Sequence, residues 1–508
     1  MARQLTELSR HVNRQLGLLI TRRGEIAYVI VGDHQGIVIP NLDGFRASSM
    51  RFKGLRLVHT HLHGEKLTDD DFTDLALLRL DMISAVEALP DGLPGIVHSA
   101  HLIPENNEGK FWACLESRRP AEIGIDFSAF IAALEGEFVR RQKTRKVEAV
   151  DRGILIRVET DPMADAPLSL AELKELARSS GVEIFDTVIQ YRNVRDPRYV
   201  LGRGKLADVV IKALQMGANL LIFDHELTPG QVRSLADFTE MKIIDRTQVI
   251  LDIFAQRAHS REGKIQVELA QLKYLLPRLA TKHTAMSRLT GGIGARGPGE
   301  TKLEINRRRV RERIHFLEKA RGGIEKARGQ RRIKREKTGL PVISIVGYTN
   351  AGKSTLLNIL THSDVFTEDR LFATLDPKSS RLRFPKDTEA VITDTVGFIR
   401  DLPPDLFAAF RATLDELQEA HVLLHVVDAA NPDCESHIAA VEKILVELAI
   451  NDKPTVMVFN KEDRVADREL LATLCRRYGA VAVSALDKNT LPPLIARLAT
   501  VVKKLDQR

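Results

Sequence analysis

The sequence has few of the residues that build disulfide scaffolds, membrane spans or aromatic binding platforms. Its 508 residues include only three cysteines, Cys114, Cys434 and Cys475, which are too far apart to form a metal-binding or redox spacing. No run of about 18 apolar residues is present, and the N-terminus lacks the apolar core of a signal peptide. One tryptophan and six tyrosines are too few for a surface that stacks single-stranded bases. We therefore expect a soluble, cytoplasmic protein that does not bind membranes.

Positive charge is unevenly distributed along the chain. The formal net charge is +7, but residues 302–337 alone contain fifteen Lys or Arg and five Glu. Such a concentrated basic block is the electrostatic footprint of a partner with a phosphate backbone. The alternative is a solvated helix face with many salt bridges, which would need more acidic residues than these five. The charge pattern therefore favours a nucleic-acid partner.

One glycine-rich stretch has the complete pattern of a phosphate-binding loop. Residues 347–354 read GYTNAGKS, which fits G-x-x-x-x-G-K-[ST], and they follow an apolar strand-like run and precede a helical pattern. In this context backbone N–H groups can surround a phosphate chain, and the helix N-terminus adds a favourable dipole. Lys353 is predicted to reach the β- and γ-phosphates, and the Ser354 hydroxyl to hold Mg²⁺.

The other parts of a guanine-nucleotide site follow in the required order. Asp394 and Gly397 end a predicted strand, where the Asp can approach Mg²⁺ through water and the Gly can donate its N–H to a γ-phosphate. Thr374 lies between this motif and the P-loop and is the candidate switch threonine for Mg²⁺ and γ-phosphate. The sequence Asn460-Lys461-Glu462-Asp463 predicts guanine specificity, because the Asp463 carboxylate can accept from the N1–H and N2–H₂ groups that only guanine carries.

The predicted site therefore contains three groups of residues. The catalytic candidates are Lys353, Thr374 and Gly397. The metal candidates are Ser354, Thr374 and Asp394. The nucleotide-binding candidates are Gly347, Tyr348, Thr349, Asn350, Ala351, Gly352, Lys353, Ser354, Thr355, Phe372, Ala373, Thr374, Leu375, Asp376, Asp394, Thr395, Val396, Gly397, Asn460, Lys461, Glu462, Asp463, Val483, Ser484 and Ala485.

Two positions bear on the rate of hydrolysis. Phe398 follows Gly397 where Ras-like proteins have a glutamine that orients water, and a phenyl ring cannot do this. We therefore expect slow intrinsic hydrolysis that needs a partner or an ion. Asn350 resembles the P-loop asparagine of potassium-activated GTPases, which implies K⁺ as a second ion. The alternative, that Asn350 only stabilises the turn, remains open.

The first 150 residues contain a candidate metal-binding cluster. His59, His61 and His63 alternate at the end of a predicted strand, and residues 69–71 are three aspartates at a predicted helix start. This arrangement resembles the H-x-H…D ligand set of zinc-dependent JAMM-type isopeptidases, although the spacing is short and Glu25 is only a candidate general base. Helix capping also explains the aspartates. The helix is predicted over residues 70–89, from apolar positions at three- and four-residue steps.

The central part of the chain predicts a small parallel α/β domain followed by a helical hairpin. Strand and helix patterns alternate over residues 151–258, and residues 202–205 form either a phosphate-binding turn or a capped turn. Two helices with apolar stripes flank the glycine-rich residues 291–299. The predicted seam leaves the arginines of the second helix available to RNA, and we expect Gly322 and Gly323 to break that helix. The seam comprises Leu269, Leu272, Leu276, Val310, Ile314 and Leu317.

The fold class that follows is α/β multidomain. It comprises an N-terminal α/β extension over residues 1–150, a small parallel α/β domain over residues 151–258, a basic helical hairpin with a Gly-rich tip over residues 259–338, and a P-loop GTPase domain over residues 339–508. We expect no further domain after the last of these.

These motifs together resemble the HflX family of GTPases over residues 150–508. The resemblance is carried by GGIGARGPGETKLE at residues 291–304, by FDHELTPGQ, by IIDRTQVILDIFAQRA and by GYTNAGKSTL with DTVGFIRDLP. It implies a monomeric, cytoplasmic GTPase that is activated by the ribosome. It also implies that the protein binds GTP, GDP and the large ribosomal subunit with its rRNA, and that it splits stalled or dormant ribosomes. We expect two departures from the family pattern, an N-terminal extension and the absence of the C-terminal domain that some members have.

Two other functions compete with a ribosome-splitting switch. One is a metal-dependent hydrolase centred on His59 and His61 and regulated by the GTPase domain. The other is an RNA remodeller whose N-terminal α/β domain binds ATP through residues 202–205. No residue in either segment is convincingly placed as a catalytic base, so the switch is the leading interpretation.

Overall fold

The computed structural model describes most of the chain, and the described residues form three β-sheets. The described residues are 1–34, 36–40, 42, 45, 52–104, 111–143, 151–161, 166–239, 241–279, 302–336, 340–361, 372, 378–384, 388–400 and 415–506. They divide into two compact units, one formed by residues 1–166, 182–222 and 234–243, and the other by residues 167–181, 223–233 and 244–508. The mixed α/β class is confirmed. No helix among the described residues is long and apolar enough to cross a membrane.

The first unit contains a six-stranded sheet built from the N-terminal residues. Its strand order is β2-β1-β3-β4-β5-β6, and only the β3–β4 pair is parallel. The strands are β1 Leu16–Thr21, β2 Ile26–Val31, β3 Leu55–His61, β4 Met82–Ala88, β5 Pro94–Leu102 and β6 Trp112–Cys114. The helices are α1 Ala2–Val12, α2 Asp69–Leu77 and α3 Phe127–Lys143. The predicted strand that ends at the alternating histidines is confirmed as β3.

The helix predicted over residues 70–89 is wrong in its second half. Helix α2 ends at Leu77, Arg79 adopts a positive φ of 50°, and Met82–Ala88 forms the strand β4. Six of the seven β4 residues are buried. A strand that is buried on both faces is a continuous apolar run, so its spacing also fits a helix. The pairing of β4 with β3 and β5 therefore determines that this segment is a strand and not a helix.

A four-stranded sheet and its helices follow. The order is β10-β9-β7-β8, and β7 and β8 are parallel, as predicted for this segment. The strands are β7 Arg152–Glu159, β8 Glu183–Tyr191, β9 Leu220–Phe223 and β10 Lys242–Asp245. The helices are α4 Ala166–Ser179, α5 Arg203–Met216, α6 Pro229–Phe238 and α7 Arg246–Arg257.

Two long helices lie in the segment predicted as a basic hairpin. Helix α8 spans Arg261–Leu279 and packs against α9, which spans Lys302–Glu336. Leu269 and Leu317 are buried, whereas the other four predicted seam residues are half-buried. Arg313 forms a bidentate ion pair with Glu268, in which the arginine Nε and Nη2 donate to the two carboxylate oxygens. The glycine-rich tip and Arg296 lie outside the described residues.

The predicted helix break at Gly322 and Gly323 is wrong. Helix α9 continues through both residues to Glu336. A glycine within a helix costs about 1 kcal/mol relative to alanine. The Arg, Lys, Glu and Ala residues that surround this pair are strong helix formers, so they compensate for the cost.

The last sheet belongs to the second unit and carries the P-loop. Its order is β12-β13-β11-β14-β15-β16, and all of its pairs are parallel except β12–β13. The strands are β11 Val342–Val346, β12 Lys378–Phe384, β13 Thr388–Asp394, β14 Val422–Asp428, β15 Thr455–Asn460 and β16 Val481–Ala482. The helices are α10 Lys353–Thr361, α11 Cys434–Glu447, α12 Arg468–Tyr478 and α13 Pro492–Asp506. The carboxyl ends of the parallel strands therefore bring the predicted motifs to one edge.

Candidate guanine-nucleotide site

The loop between β11 and α10 approaches neighbouring atoms too closely for side chains at two positions. Gly347 has a φ of 149°, and a Cβ there would lie 2.2 Å from the Val426 carbonyl oxygen. Gly352 has a φ of 87°, and a Cβ there would lie 2.2 Å from Asn460 Nδ2. Both glycines of the motif are thus required by the fold as well as by a phosphate ligand.

Lys353 places a positive charge at the buried N-terminus of α10. Its side chain is 7% exposed, and Nζ donates to the Tyr348 carbonyl oxygen at 2.7 Å. Burial lowers the pKa of Lys353 to about 8; the Asp394 carboxylate opposes this shift and the Lys461 ammonium adds to it. Phosphate groups would supply the additional negative charge that a buried ammonium favours.

The end of β13 brings the second motif onto the P-loop. Ser354 Oγ donates to Asp394 Oδ2 at 2.6 Å, and Asp394 is fully buried. A Cβ at Gly397 would lie 2.8 Å from Thr349 Cγ2 and 3.0 Å from Lys353 Nζ. A side chain at position 397 would therefore crowd the lysine that is predicted to bind phosphate.

Phe398 has a structural role in this arrangement. Its N–H donates to the Gly347 carbonyl at 3.1 Å, and its carbonyl accepts from the Thr349 N–H at 2.8 Å. The residue is 5% exposed. Its backbone therefore joins the second motif to the P-loop, while its buried ring offers no polar group to a water molecule.

Side chains at the ends of β15 and β16 connect the predicted base pocket to the P-loop. Asn460 is buried, donates from Nδ2 to the Ala351 carbonyl at 2.8 Å and accepts the Ala485 N–H at 2.9 Å. Ser484 Oγ donates to Asp463 Oδ1 at 2.6 Å, while the Asp463 side chain is exposed. The Ser484 hydroxyl thus orients the Asp463 carboxylate, which remains accessible to the guanine base of a nucleotide.

Lys461 links the same loop to Asn350. Its Nζ donates to the Asn350 carbonyl and to Asp428 Oδ2, both at 2.8 Å. Asn350 has a φ of 61°, in the left-handed region that asparagine tolerates better than most residues. The left-handed backbone conformation is a structural reason for an asparagine at position 350. The role of its side chain in K⁺ binding stays a prediction.

The described members of the predicted nucleotide-binding set lie close together. They belong to the P-loop and to residues 394–397, 460–463 and 483–485. Val483 is buried and its N–H pairs with Phe459, so it supports the pocket from the core. The Phe372 ring packs edge-on against Phe254 of α7, with ring centroids 4.6 Å apart. Ala373, Thr374, Leu375 and Asp376 lie outside the described residues.

A buried network next to the P-loop was not predicted. The Tyr348 hydroxyl donates to Glu172 of α4 and accepts the Arg400 N–H, and its ring stacks on His437. Burial, followed by the nearby Arg400 guanidinium, lowers the pKa of His437 to about 4, so the imidazole is neutral at physiological pH.

Arg246 continues this network into α7. It pairs with Glu172 at 2.5 Å and with Asp224 at 3.2 Å, and it donates to the Arg400 carbonyl at 3.3 Å. Asp224 and Arg246 belong to the FDHELTPGQ and IIDRTQVILDIFAQRA segments, and Arg246 is 5% exposed. The sequence did contain a signal for this ion pair, namely charged residues within apolar segments. A buried arginine requires a carboxylate partner, so the acidic and basic residues of these segments could have been predicted to pair.

The predicted N-terminal sites have different outcomes. His59, His61 and Asp71 meet in the first unit, whereas His63 is exposed and Glu25 is exposed in the turn between β1 and β2. Residues 202–205 begin α5, with Gly202 as its N-cap. The Gly202 N–H donates to Gln190 Oε1 at 3.1 Å, but Gly202 offers no side-chain cap to the first N–H groups of α5, so both interpretations of this turn stay predictions.

Three protein-family models match consecutive parts of the chain. They are described as GTP-binding GTPase N-terminal, at residues 168–255, GTP-binding GTPase Middle Region, at residues 257–336, and 50S ribosome-binding GTPase, at residues 342–461. A protein named GTPase HflX from Caldanaerobacter subterraneus is 48% identical over 313 residues, which cover 62% of this chain and 73% of the relative.

Further relatives carry the same name. The protein from Lacrimispora saccharolytica is 44% identical over 70% of this chain and 84% of its own length, and that from Escherichia coli is 45% identical over 64% and 76%. The chain belongs to the HflX family of GTPases. The resemblance in the sequence is thereby confirmed, and the HflX assignment together with the P-loop domain makes the chain a GTP-binding protein that hydrolyses GTP.

Replacement of Asp463 tests the base pocket. In Asp463→Asn the side chain loses its charge and presents a donor where guanine also donates. GTP affinity should fall about 100-fold or more, because two charge-assisted hydrogen bonds of about 1.5–3 kcal/mol each are lost. XTP should be accepted, because the amide can donate to the xanthine carbonyl. Fluorescence competition between GTP and XTP measures the change, and Glu469→Gln, an exposed carboxylate nearby, is the control. A variant that still prefers GTP would contradict the assignment.

Proposed function

We propose that this HflX-family chain is a GTP-controlled factor that binds the large ribosomal subunit through its rRNA and splits stalled or dormant ribosomes. The observation that supports the proposal most strongly is the basic helix α9, which lies directly before the P-loop domain in the chain. The family model that matches residues 342–461 is described as a 50S ribosome-binding GTPase, and this description favours the same partner.

The nucleotide site has groups for each part of Mg²⁺–GTP. Ser354 Oγ and the Asp394 carboxylate are adjacent oxygen groups of the kind that Mg²⁺ prefers, and Thr374 is the predicted switch ligand. When bound, Mg²⁺ would neutralise charge on the β- and γ-phosphates. Lys353 would orient the same phosphates, the Gly397 N–H would contact the γ-phosphate, and Asp463 would select guanine.

Slow basal hydrolysis is the expected consequence of Phe398, and the family resemblance favours the ribosome as the activating partner. The backbone of this residue is engaged with the P-loop and its side chain is apolar, so it cannot orient the attacking water. Ribosomal contacts, or K⁺ near Asn350, would have to supply this function.

Asn350→Gly tests the proposed potassium effect. Glycine tolerates the positive φ of this position but lacks the side-chain oxygen. The unaltered protein should hydrolyse GTP faster in KCl than in NaCl at matched ionic strength, and the variant should lose the difference while still binding GTP. Phosphate release measures both rates. Equal rates in the two salts for the unaltered protein, or stimulation that persists in the variant, would refute the role of Asn350.

The glycine-rich tip is predicted to be the effector of splitting. Replacing residues 291–299 with a short turn should preserve GTP binding, since the tip supplies none of the predicted nucleotide-binding residues. It should abolish splitting, because a blunt hairpin cannot reach into the subunit. Light scattering of ribosomes with protein and GTP measures the rate, and Arg296→Ala tests the charged residue of the tip. If the shortened protein split ribosomes at the normal rate, another segment of the chain would have to be the effector.

Exposed arginines of α9 should provide salt-dependent contacts with RNA phosphates. Arg311 is exposed, whereas Arg313 is engaged with Glu268 at 2.7 and 2.9 Å. Arg311→Gln should reduce the steepness of the log–log dependence of subunit affinity on salt by about 0.7–0.9, which corresponds to one phosphate contact. Arg313→Gln is the matched control and should leave the slope nearly unchanged. Equal slopes for Arg311→Gln and the unaltered protein would remove Arg311 from the interface.

A further inference from the structure

The first unit contains three buried side chains whose polar atoms converge. His59 and His61 alternate at the end of β3, and Asp71 lies in the first turn of α2; they are 0%, 3% and 7% exposed. The two Nε2 atoms are 2.9 Å apart. Asp71 Oδ1 is 3.0 Å from His59 Nε2, and Asp71 Oδ2 is 3.6 Å from His61 Nε2.

These separations are compatible with three atoms that share one metal ion. Zn²⁺ binds imidazole nitrogen and carboxylate oxygen at about 2.0–2.2 Å in tetrahedral geometry, so neighbouring ligand atoms lie about 3.3 Å apart. The three measured separations, 2.9, 3.0 and 3.6 Å, lie on both sides of this value. Imidazole ligands favour zinc and related transition ions over Mg²⁺ or Ca²⁺.

The surrounding hydrogen bonds orient the ligand atoms toward the shared point. His61 Nδ1 lies 3.0 Å from the Glu65 carbonyl oxygen, which can only accept, so Nδ1 carries the proton and Nε2 has a free lone pair. Asp71 Oδ2 accepts the Thr68 N–H and Oγ–H at 2.7 and 2.8 Å. These bonds belong to the capping box of α2 and fix the carboxylate.

A metal-free triad explains the contacts less completely. Since His61 Nε2 has no proton, a neutral His59 would have to donate its single Nε2 proton toward both Asp71 and His61. His59 Nδ1 has no hydrogen-bond partner among the described residues, and this holds with or without a metal ion. A metal ion would instead satisfy both Nε2 lone pairs and the carboxylate charge.

We propose that His59, His61 and Asp71 bind one divalent transition-metal ion, best matched by Zn²⁺. Three protein ligands leave the fourth position to water or to an oxygen of a ligand, as in zinc sites that are not purely structural. The three family-model matches cover residues 168–255, 257–336 and 342–461, so the three ligand residues lie outside the matched segments of the chain.

Metal analysis of the full-length, nucleotide-free protein tests the proposal. The protein is treated with EDTA, exposed to Zn²⁺ or Co²⁺, passed through gel filtration and analysed by mass spectrometry of the metal. About one equivalent should remain per chain. The Co²⁺ form should show visible bands of a four- or five-coordinate ion without thiolate charge-transfer absorption. A folded protein that retains no metal, or a thiolate spectrum, would overturn the assignment.

Substitutions then locate the ion. His61→Gln and Asp71→Asn should each lose the metal, whereas His63→Gln, an exposed histidine two residues along the chain, should retain it. Circular dichroism and GTP binding establish that each variant is folded. Unchanged metal content in folded His61→Gln, or equal loss in His63→Gln, would refute the site. Should His61→Gln fail to fold, the Co²⁺ spectrum of the unaltered protein decides between imidazole–carboxylate and thiolate ligands.

Discussion

The buried ammonium group of Lys353 is the constraint on which the nucleotide site depends. An isolated charge in the interior is strongly unfavourable, and burial already lowers the pKa of this lysine to about 8. The fold partly compensates with the Tyr348 carbonyl and the buried Asp394 carboxylate. The site is thus prepared for additional negative charge, and Gly397 keeps the space beside the lysine free of a side chain.

Tyr348, which supplies this carbonyl, also connects the P-loop to α4 and α7. Tyr348 contacts Glu172 through its hydroxyl, and Glu172 pairs with Arg246, whose guanidinium also contacts the Arg400 carbonyl. Removal of one partner from a buried charged network is far more costly than the net value of the pair, because it leaves a desolvated charge. Hydrogen bonds and ion pairs thus connect Arg400 to α4 and α7.

Much of the nucleotide site was predictable, because its chemistry depends on short motifs at strand ends. Residues 347–354, 394–397 and 460–463 meet since parallel strands place their carboxyl ends at one edge. The β4 strand was not predictable from spacing, because a strand buried on both faces has no alternation. The Glu172–Arg246 network required knowledge of distant neighbours. The histidine–aspartate cluster was predicted as a group, but only the structure shows that His59, His61 and Asp71 are the members that meet. Gly322 and Gly323 show the converse case, in which a weak local penalty is overridden by the helix around it.

The buried position of Phe398 against the P-loop accounts both for its structural role and for the absence of a water-orienting side chain there. Its backbone forms a strand-like bridge with Gly347 and Thr349, so residues 394–398 are held against the P-loop by two hydrogen bonds. A polar, water-orienting side chain at this position would have to leave the buried environment that the ring now fills. The bridge also uses the Thr349 N–H, a P-loop donor. Rearrangement of this bridge would release that donor and move Gly397 relative to Lys353, which gives an external partner a physical means to change the phosphate site.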